Sequence, residues 1–185
     1  MTIEIKQRKF NFFQDKYEVR VNGEKKYQAK SKLLTFYPKI AIYNLKNREL
    51  LSVDKKSENI VGLNYTLRFS PNSSVDINTD SLIAFSIRNS KGTIHFYEQK
   101  NNLIGIFLNE NQIGLIDKNR KVSFGADEYS IKIEKGIIEE ILIIGFVLAY
   151  DCQYNNDKGA FVNYDWGNVA IKPVKEINPN WTVTE

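Results

Sequence analysis

Hydrophobic and polar residues alternate in short bursts along most of this chain, and one stretch breaks the rhythm. Residues 17–21, YEVRV, alternate apolar and polar. Asn22-Gly23 then supplies the positive φ angles of a tight hairpin turn, and residues 26–29 return. Residues 40–43 and 50–53 form a second such pair about Lys46-Asn47-Arg48. Residues 63–69 alternate throughout, as a half-buried strand does, until Pro71-Asn72-Ser73-Ser74 breaks them. Residues 83–87 follow, and Asn89-Ser90-Lys91-Gly92 turns the chain into residues 93–97. Three more short strands are predicted at 103–108, 112–116 and 121–124, and a last one at 128–134. About eleven or twelve strands, with turn signals roughly every 8–12 residues, predict a barrel or a sandwich.

The exception is residues 136–151, GIIEEILIIGFVLAYD. Positions 141–150 carry neither charge nor side-chain amide. Glu139 and Glu140 precede them, where they suit the positive end of a helix dipole, and Asp151 ends the run. A helix apolar on every side must be wrapped by protein or by lipid. This one is too short for a bilayer core of roughly 30 Å, which takes about 20 residues. The pattern therefore predicts a buried helix over about residues 137–150, housed inside a closed barrel. The competing reading, a central strand, is favoured by β-branched Ile and Val but opposed by the length of the run and its paired glutamates. Beyond Asp151 the character changes. Residues 155–159 read as a loop, 160–164 as one more strand, and Pro173 and Pro179 punctuate a polar end. The expected division is a barrel with its central helix over 1–154 and an extension over 155–185, packed on the barrel or trailing from it.

With 185 residues, the chain suffices for one domain with a sizeable core. Residues 1–10 lack the apolar region of a secretory signal, and Cys152 has no second cysteine to pair with. Both features predict a cytoplasmic protein. The Asn-x-Ser/Thr sequences at Asn64, Asn72 and Asn180 then read as coincidental. The net charge of +4 conceals an asymmetry: residues 1–60 hold 14 Lys/Arg against 7 Asp/Glu, and the remainder is net acidic. A basic half can attract an anionic surface. Lysines along outward strand faces also serve simply to block edge pairing.

Catalytic chemistry has little to stand on. His95, the sole histidine, lies in an alternating strand with no evident nucleophile or carboxylate partner. Cys152 sits at the negative end of the predicted helix, which would raise its thiol pKa. Asp76, Asn78 and Asp80 are spaced like the start of a calcium loop but lack its glycine and terminal glutamate, so a turn is expected there. No zinc-ligand spacing and no glycine-rich phosphate loop occurs. Basic residues do interleave with aromatics. Lys6, Arg8 and Lys9 precede Phe10, Phe12 and Phe13, and Lys30 and Lys32 precede Phe36, Tyr37 and Lys39. At a membrane surface the aromatics would enter the interface while the cations meet anionic headgroups. In a barrel wall the same alternation places aromatics in the core and lysines outside. Nothing matches a nucleic-acid reader.

The order of residues 124–133, the apolar run at 141–150, the acidic Asp151 and the aromatic Tyr154 resembles the tubby C-terminal-like superfamily. That superfamily includes tubby proteins, phospholipid scramblases and LURP-one-related proteins. Upstream, residues 17–23 and 42–53 are similar to its early hairpins. The resemblance covers roughly residues 10–154 and implies a closed antiparallel barrel of about twelve strands around a hydrophobic helix near the C-terminus. About thirty residues follow that helix here, where the family usually ends. The resemblance also implies a non-enzymatic, cofactor-free binding module that docks on anionic phospholipid or phosphoinositide, as a peripheral membrane protein of the cytoplasm. The alternative is a protein-interaction or immunity-type scaffold without lipid affinity. Scramblase-like translocation is disfavoured, since no second apolar segment could reach a bilayer. The family's phosphoinositide contacts have no residue-by-residue match in this sequence. The headgroup candidates come instead from the basic half: Lys25, Lys26, Lys30, Lys32 and Lys39. The question they pose is whether they converge on one face.

Overall fold

The computed structural model describes residues 1–9, 15–31, 39–56, 62–69, 73–118, 128–154 and 174–183. Among them twelve antiparallel strands close into a barrel in which each strand pairs with its neighbour in sequence. They are β1 (Thr2–Lys9), β2 (Asp15–Val21), β3 (Glu24–Ser31), β4 (Lys39–Asn44), β5 (Glu49–Lys55) and β6 (Tyr65–Phe69). The ring continues with β7 (Ser73–Ser81), β8 (Ala84–Asn89), β9 (Gly92–Gln99), β10 (Leu103–Leu108), β11 (Asn111–Asp117) and β12 (Glu128–Ile133). The ends of the ring meet where β1 pairs β12, with Ile3 opposite Ile131 and Ile5 opposite Tyr129. The Met1 ammonium donates to the Ile133 carbonyl at 2.9 Å across the same seam. Closure removes every strand edge.

Period-two alternation decides what faces inward. Ile3 and Ile5, Tyr17 and Val19, Tyr27 and Ala29, Ile40 and Ile42, and Leu51 and Val53 all enter one core. The Asn22-Gly23 turn has both φ angles positive, 51° and 83°, as the sequence predicts for a hairpin of this length.

The core also holds α1 (Glu140–Tyr154). Every residue from Leu142 to Asp151 is buried, so the helix has no solvent face. Its neighbours come from all around the ring. The Phe146 ring stacks on Phe96 of β9 at 3.6 Å and tilts against Phe85 of β8 at 6.0 Å. Gly145 lies so near β5 and β6 that an added Cβ would meet Leu67 at 3.1 Å and Leu51 at 3.2 Å. On another side, Tyr17 of β2 and Tyr129 of β12 bond to Asp151. The helix therefore threads the lumen, entering at the end of the barrel that carries the Asn22-Gly23 turn. No helix among the described residues is long and apolar enough to cross a membrane.

Some elements differ from the sequence expectation. The helix begins at Glu140 and runs to Tyr154, where residues 137–150 are expected. Asp151 does not stop it, because the two tyrosine hydroxyls satisfy its carboxylate inside the barrel. β1 is an additional strand: Ile3 and Ile5 face inward and buried Gln7 continues the inward series. The turn expected at Asp76–Asp80 is instead the middle of β7. Ile77 is the one fully buried residue of that strand, so hydropathy hardly marks it. Ladders to β6 and β8 on both sides hold it. The strands expected at 121–124 and 160–164, the loop at 155–159, the aromatics Phe10, Phe12, Phe13, Phe36 and Tyr37, and Lys32 lie outside the described residues.

Candidate functional site

The outer wall of β1–β3 carries a row of cations. Residues flanking a core position point outward, so Arg8 beside Gln7, Lys16 beside Tyr17 and Lys30 beside Ala29 share the outer face. Register sets Arg8 opposite Lys16, and Lys16 opposite Lys30. A two-residue hairpin at Asn22-Gly23 would by itself put Lys16 opposite Ala29. The bulge between Val19 and Arg20 shifts the ladder by one and brings the two lysines face to face. Beyond Lys30 the register runs through Ala41 and Ser52, both buried, to Arg68, which pairs with Asp54 at 2.9 Å. Like charges directly opposite one another repel, and neighbouring groups such as Glu18 beside Arg8 offset that repulsion within the wall. The Lys30 ammonium lies 5.6 Å from the centre of the Tyr43 ring, and Arg8 reaches Glu18 at 2.9 Å.

The five lysines named from the sequence do not all converge. Lys30 and Lys39 sit at the end of the barrel where the helix leaves, and Lys39 pairs with Asp54 at 3.0 Å. Lys25 and Lys26 stand at the opposite end, roughly 17 Å away at about 3.3 Å per strand residue. Each has a carboxylate beside it. Lys25 lies 3.7 Å from Glu18, which also takes Arg20 at 3.0 Å. Burial pushes the Glu18 carboxyl up, but the Arg20 hydrogen bond and the charges of Arg8 and Lys25 outweigh it and hold the group below its usual range. Lys26 bonds to Glu140 at the helix start, which raises the Lys26 pKa. Tyr27 donates to the same carboxylate; burial first, then Glu140, pushes its hydroxyl up to about 12. Lys26 thus ties β3 to the helix entrance, Lys25 serves Glu18 on the wall, and both keep about half of their side chains exposed. Lys30 is the candidate without a carboxylate in ion-pair range among the described residues. Arg8, Lys16 and Arg68 complete the surface and become visible only once register is known.

Inside, a polar layer ties the far end of α1 to the wall. Lys118 donates to Glu98 at 2.7 Å and to the Tyr150 hydroxyl at 2.8 Å, and Tyr150 donates to Glu98 at 2.8 Å. At the next residue of the helix, Asp151 accepts from Tyr17 at 2.7 Å and Tyr129 at 2.6 Å. Lys118 is 3% exposed and Glu98 1%, so no substrate reaches them; the layer fixes the depth and rotation of the helix.

At the other end a cleft of about 400 Å³ opens beside the helix entrance. Phe69, Val75, Ile138 and Leu142 give it an apolar floor, and Ser73, Asn89 and Ser90 line the rim. Its lysine, Lys91, donates to the Gly136 and Ile137 carbonyls at 3.2 and 2.8 Å, tying the wall to the lead into α1.

The residue types of a hydrolytic triad do meet on the outer wall, where Ser86 lies opposite His95 in register and Asp80 touches both. Their wiring is wrong for nucleophilic attack. The Ser86 hydroxyl donates to Asp80 at 3.0 Å, which leaves the imidazole no proton to take from it. His95 Nδ1 is 3.7 Å from Asp80, and its ring stacks on Tyr97 at 5.8 Å. No group of three or more His, Cys, Asp or Glu among the described residues is placed to hold a metal ion.

A family model described as LURP-one-related matches residues 1–151, most of the chain and the whole of the barrel. No curated protein and no solved structure matches it.

Proposed function

This chain belongs to the LURP-one-related family of the tubby C-terminal-like superfamily, and on that premise we propose that it is a non-enzymatic binding module docking on anionic phospholipid headgroups, phosphoinositides included. The observation that carries the reading is the Arg8–Lys16–Lys30 row, three cations opposed in register on a rigid closed wall. An anionic surface laid across the row would meet three cations at once. Each cation near such a surface contributes roughly 1 kcal/mol, screened within about a Debye length. Lys39 lies at the same end, and Lys32 follows Lys30 in sequence. Lys25 and Lys26, at the opposite end, form the natural comparison set. That the family is generally non-catalytic agrees with the triad-like cluster being wired as structure.

Vesicles containing phosphatidylserine or a phosphoinositide should retain the protein at low salt and release it near about 0.5 M salt, where screening is short-ranged. Lys16→Glu with Lys30→Glu should abolish retention in a protein that still melts cooperatively. Lys25→Glu with Lys26→Glu should leave most of the retention intact. Indifference of the wild-type protein to anionic vesicles at low salt would hand the argument to the scaffold alternative. Equal loss in both double variants would reduce the row to ordinary surface charge.

A further inference from the structure

The outer face of β9–β11 is occupied by the chain's own residues 174–183, and the contacts have the form of ligand recognition. Ile177 sits on Gly105 so closely that a Cβ there would lie 2.4 Å from the Ile177 Cγ2. Only glycine at 105 leaves a notch for a β-branched side chain. Lys175 pairs with the Glu110 carboxylate and lies 5.2 Å from the centre of the Phe107 ring, so charge and ring face both select a cation. Gln99 Nε2 donates to the Lys175 carbonyl at 2.7 Å. The Gln112 amide meets both main-chain groups of Asn178, donating to its carbonyl at 3.3 Å and accepting from its N–H at 2.8 Å. Among the described residues no main-chain to main-chain hydrogen bond joins this segment to the barrel. Side chains of the wall read it, as a domain reads a short peptide.

Two further features bear on exchange. Phe107 and Leu115 point outward, since Ile106 and Ile116 beside them face the core, yet both are buried. The wall therefore carries an apolar floor that needs a cover. The cover itself is lightly held: Glu110 is 87% exposed, and an ion pair that open to water is weak. The segment's own turn, with Trp181 N–H bonded to the Asn178 carbonyl at 3.1 Å, is made within the segment.

We propose that the outer face of β9–β11 is a peptide-reading groove for a Lys-x-Ile segment and the main chain that follows it, filled in cis by residues 175–178 and open to competition from a partner protein presenting the same chemistry. The groove stands apart from the lipid-docking row and does not rest on it.

The test uses full-length protein and a fluorescent peptide of residues 173–183, followed by anisotropy. Ile177→Asp, which ejects the cis segment, should bind the peptide saturably. The wild-type protein should bind it more weakly by roughly ten-fold or more, because the groove is mostly occupied. Adding Glu110→Lys to Ile177→Asp should weaken binding several-fold, and a peptide carrying Lys175→Glu should recover it in that double variant. Lys175→Glu in the full-length chain, a change confined to the exposed ion pair, is a second opened form should Ile177→Asp fold poorly. Saturable binding that follows the charge exchange supports the groove. Absence of binding by both opened forms, or binding indifferent to residue 110, overturns it and makes the segment a fixed part of the wall.

Discussion

Leu148→Asp should leave no soluble folded protein. Leu148 is completely buried on a helix with no solvent face, so the new carboxylate would lie inside the barrel, one turn before Asp151. Asp151 is tolerated there because Tyr17 and Tyr129 both donate to it. A carboxylate at 148 would find apolar neighbours and a like charge, at a cost of several kcal/mol, comparable to the whole stability of a domain this size. Leu148→Met, which conserves volume, should cost less than about 1.5 kcal/mol and serves as the control. Expression in the soluble fraction and a thermal melt decide the matter. A folded Leu148→Asp protein with an unchanged melting temperature would mean that the helix does not run through the lumen.

Lys118→Met should be the next most damaging change. It leaves Glu98 ionised, buried and stripped of its cation, and breaking a buried pair from one side costs about 3–5 kcal/mol. Replacing both partners is a different matter. Glu98→Gln with Lys118→Met retains an amide oxygen for the Tyr150 hydroxyl and removes both charges, which is often close to neutral. Urea unfolding should therefore show a large drop in midpoint for the single variant and recovery of most of it in the double. Two additive losses would show that the two side chains act independently and do not jointly seat the helix.

The sequence made the architecture legible where local chemistry and pattern agree. Asn22-Gly23 dictates its own turn, and the apolar stretch at 137–150, with its paired glutamates, is long for a strand yet too short for a bilayer, which leaves a wrapped helix. The boundaries were less legible, because a helix end is set by what meets it. Asp151 reads as a stop until the barrel supplies two hydroxyls from strands far away in sequence. Lys118 has the look of a turn residue for the same reason. Its partners Glu98 and Tyr150 are distant along the chain, and nothing local marks the three as one group. β7 escaped because both of its faces are largely polar, and ladders on either side hold it in place of burial. The basic surface was half visible. Composition places the charge in the first sixty residues, but which lysines stand together depends on a one-residue bulge in which β3 carries the extra residue, Lys26, opposite Val19 and Arg20 of β2. That bulge sets Lys16 opposite Lys30, while Lys25 and Lys26 lie at the far end of β3.

The claim that this wall meets the membrane is tested most directly by amide NMR of the protein on nanodiscs whose anionic lipids include a headgroup spin label. Paramagnetic broadening should be strongest at Arg8, Lys16 and Lys30 and extend to Lys39, while Asn22, Gly23, Lys25 and Lys26 keep sharp signals. Broadening centred on residues 22–26, or spread evenly around the barrel, would contradict the account.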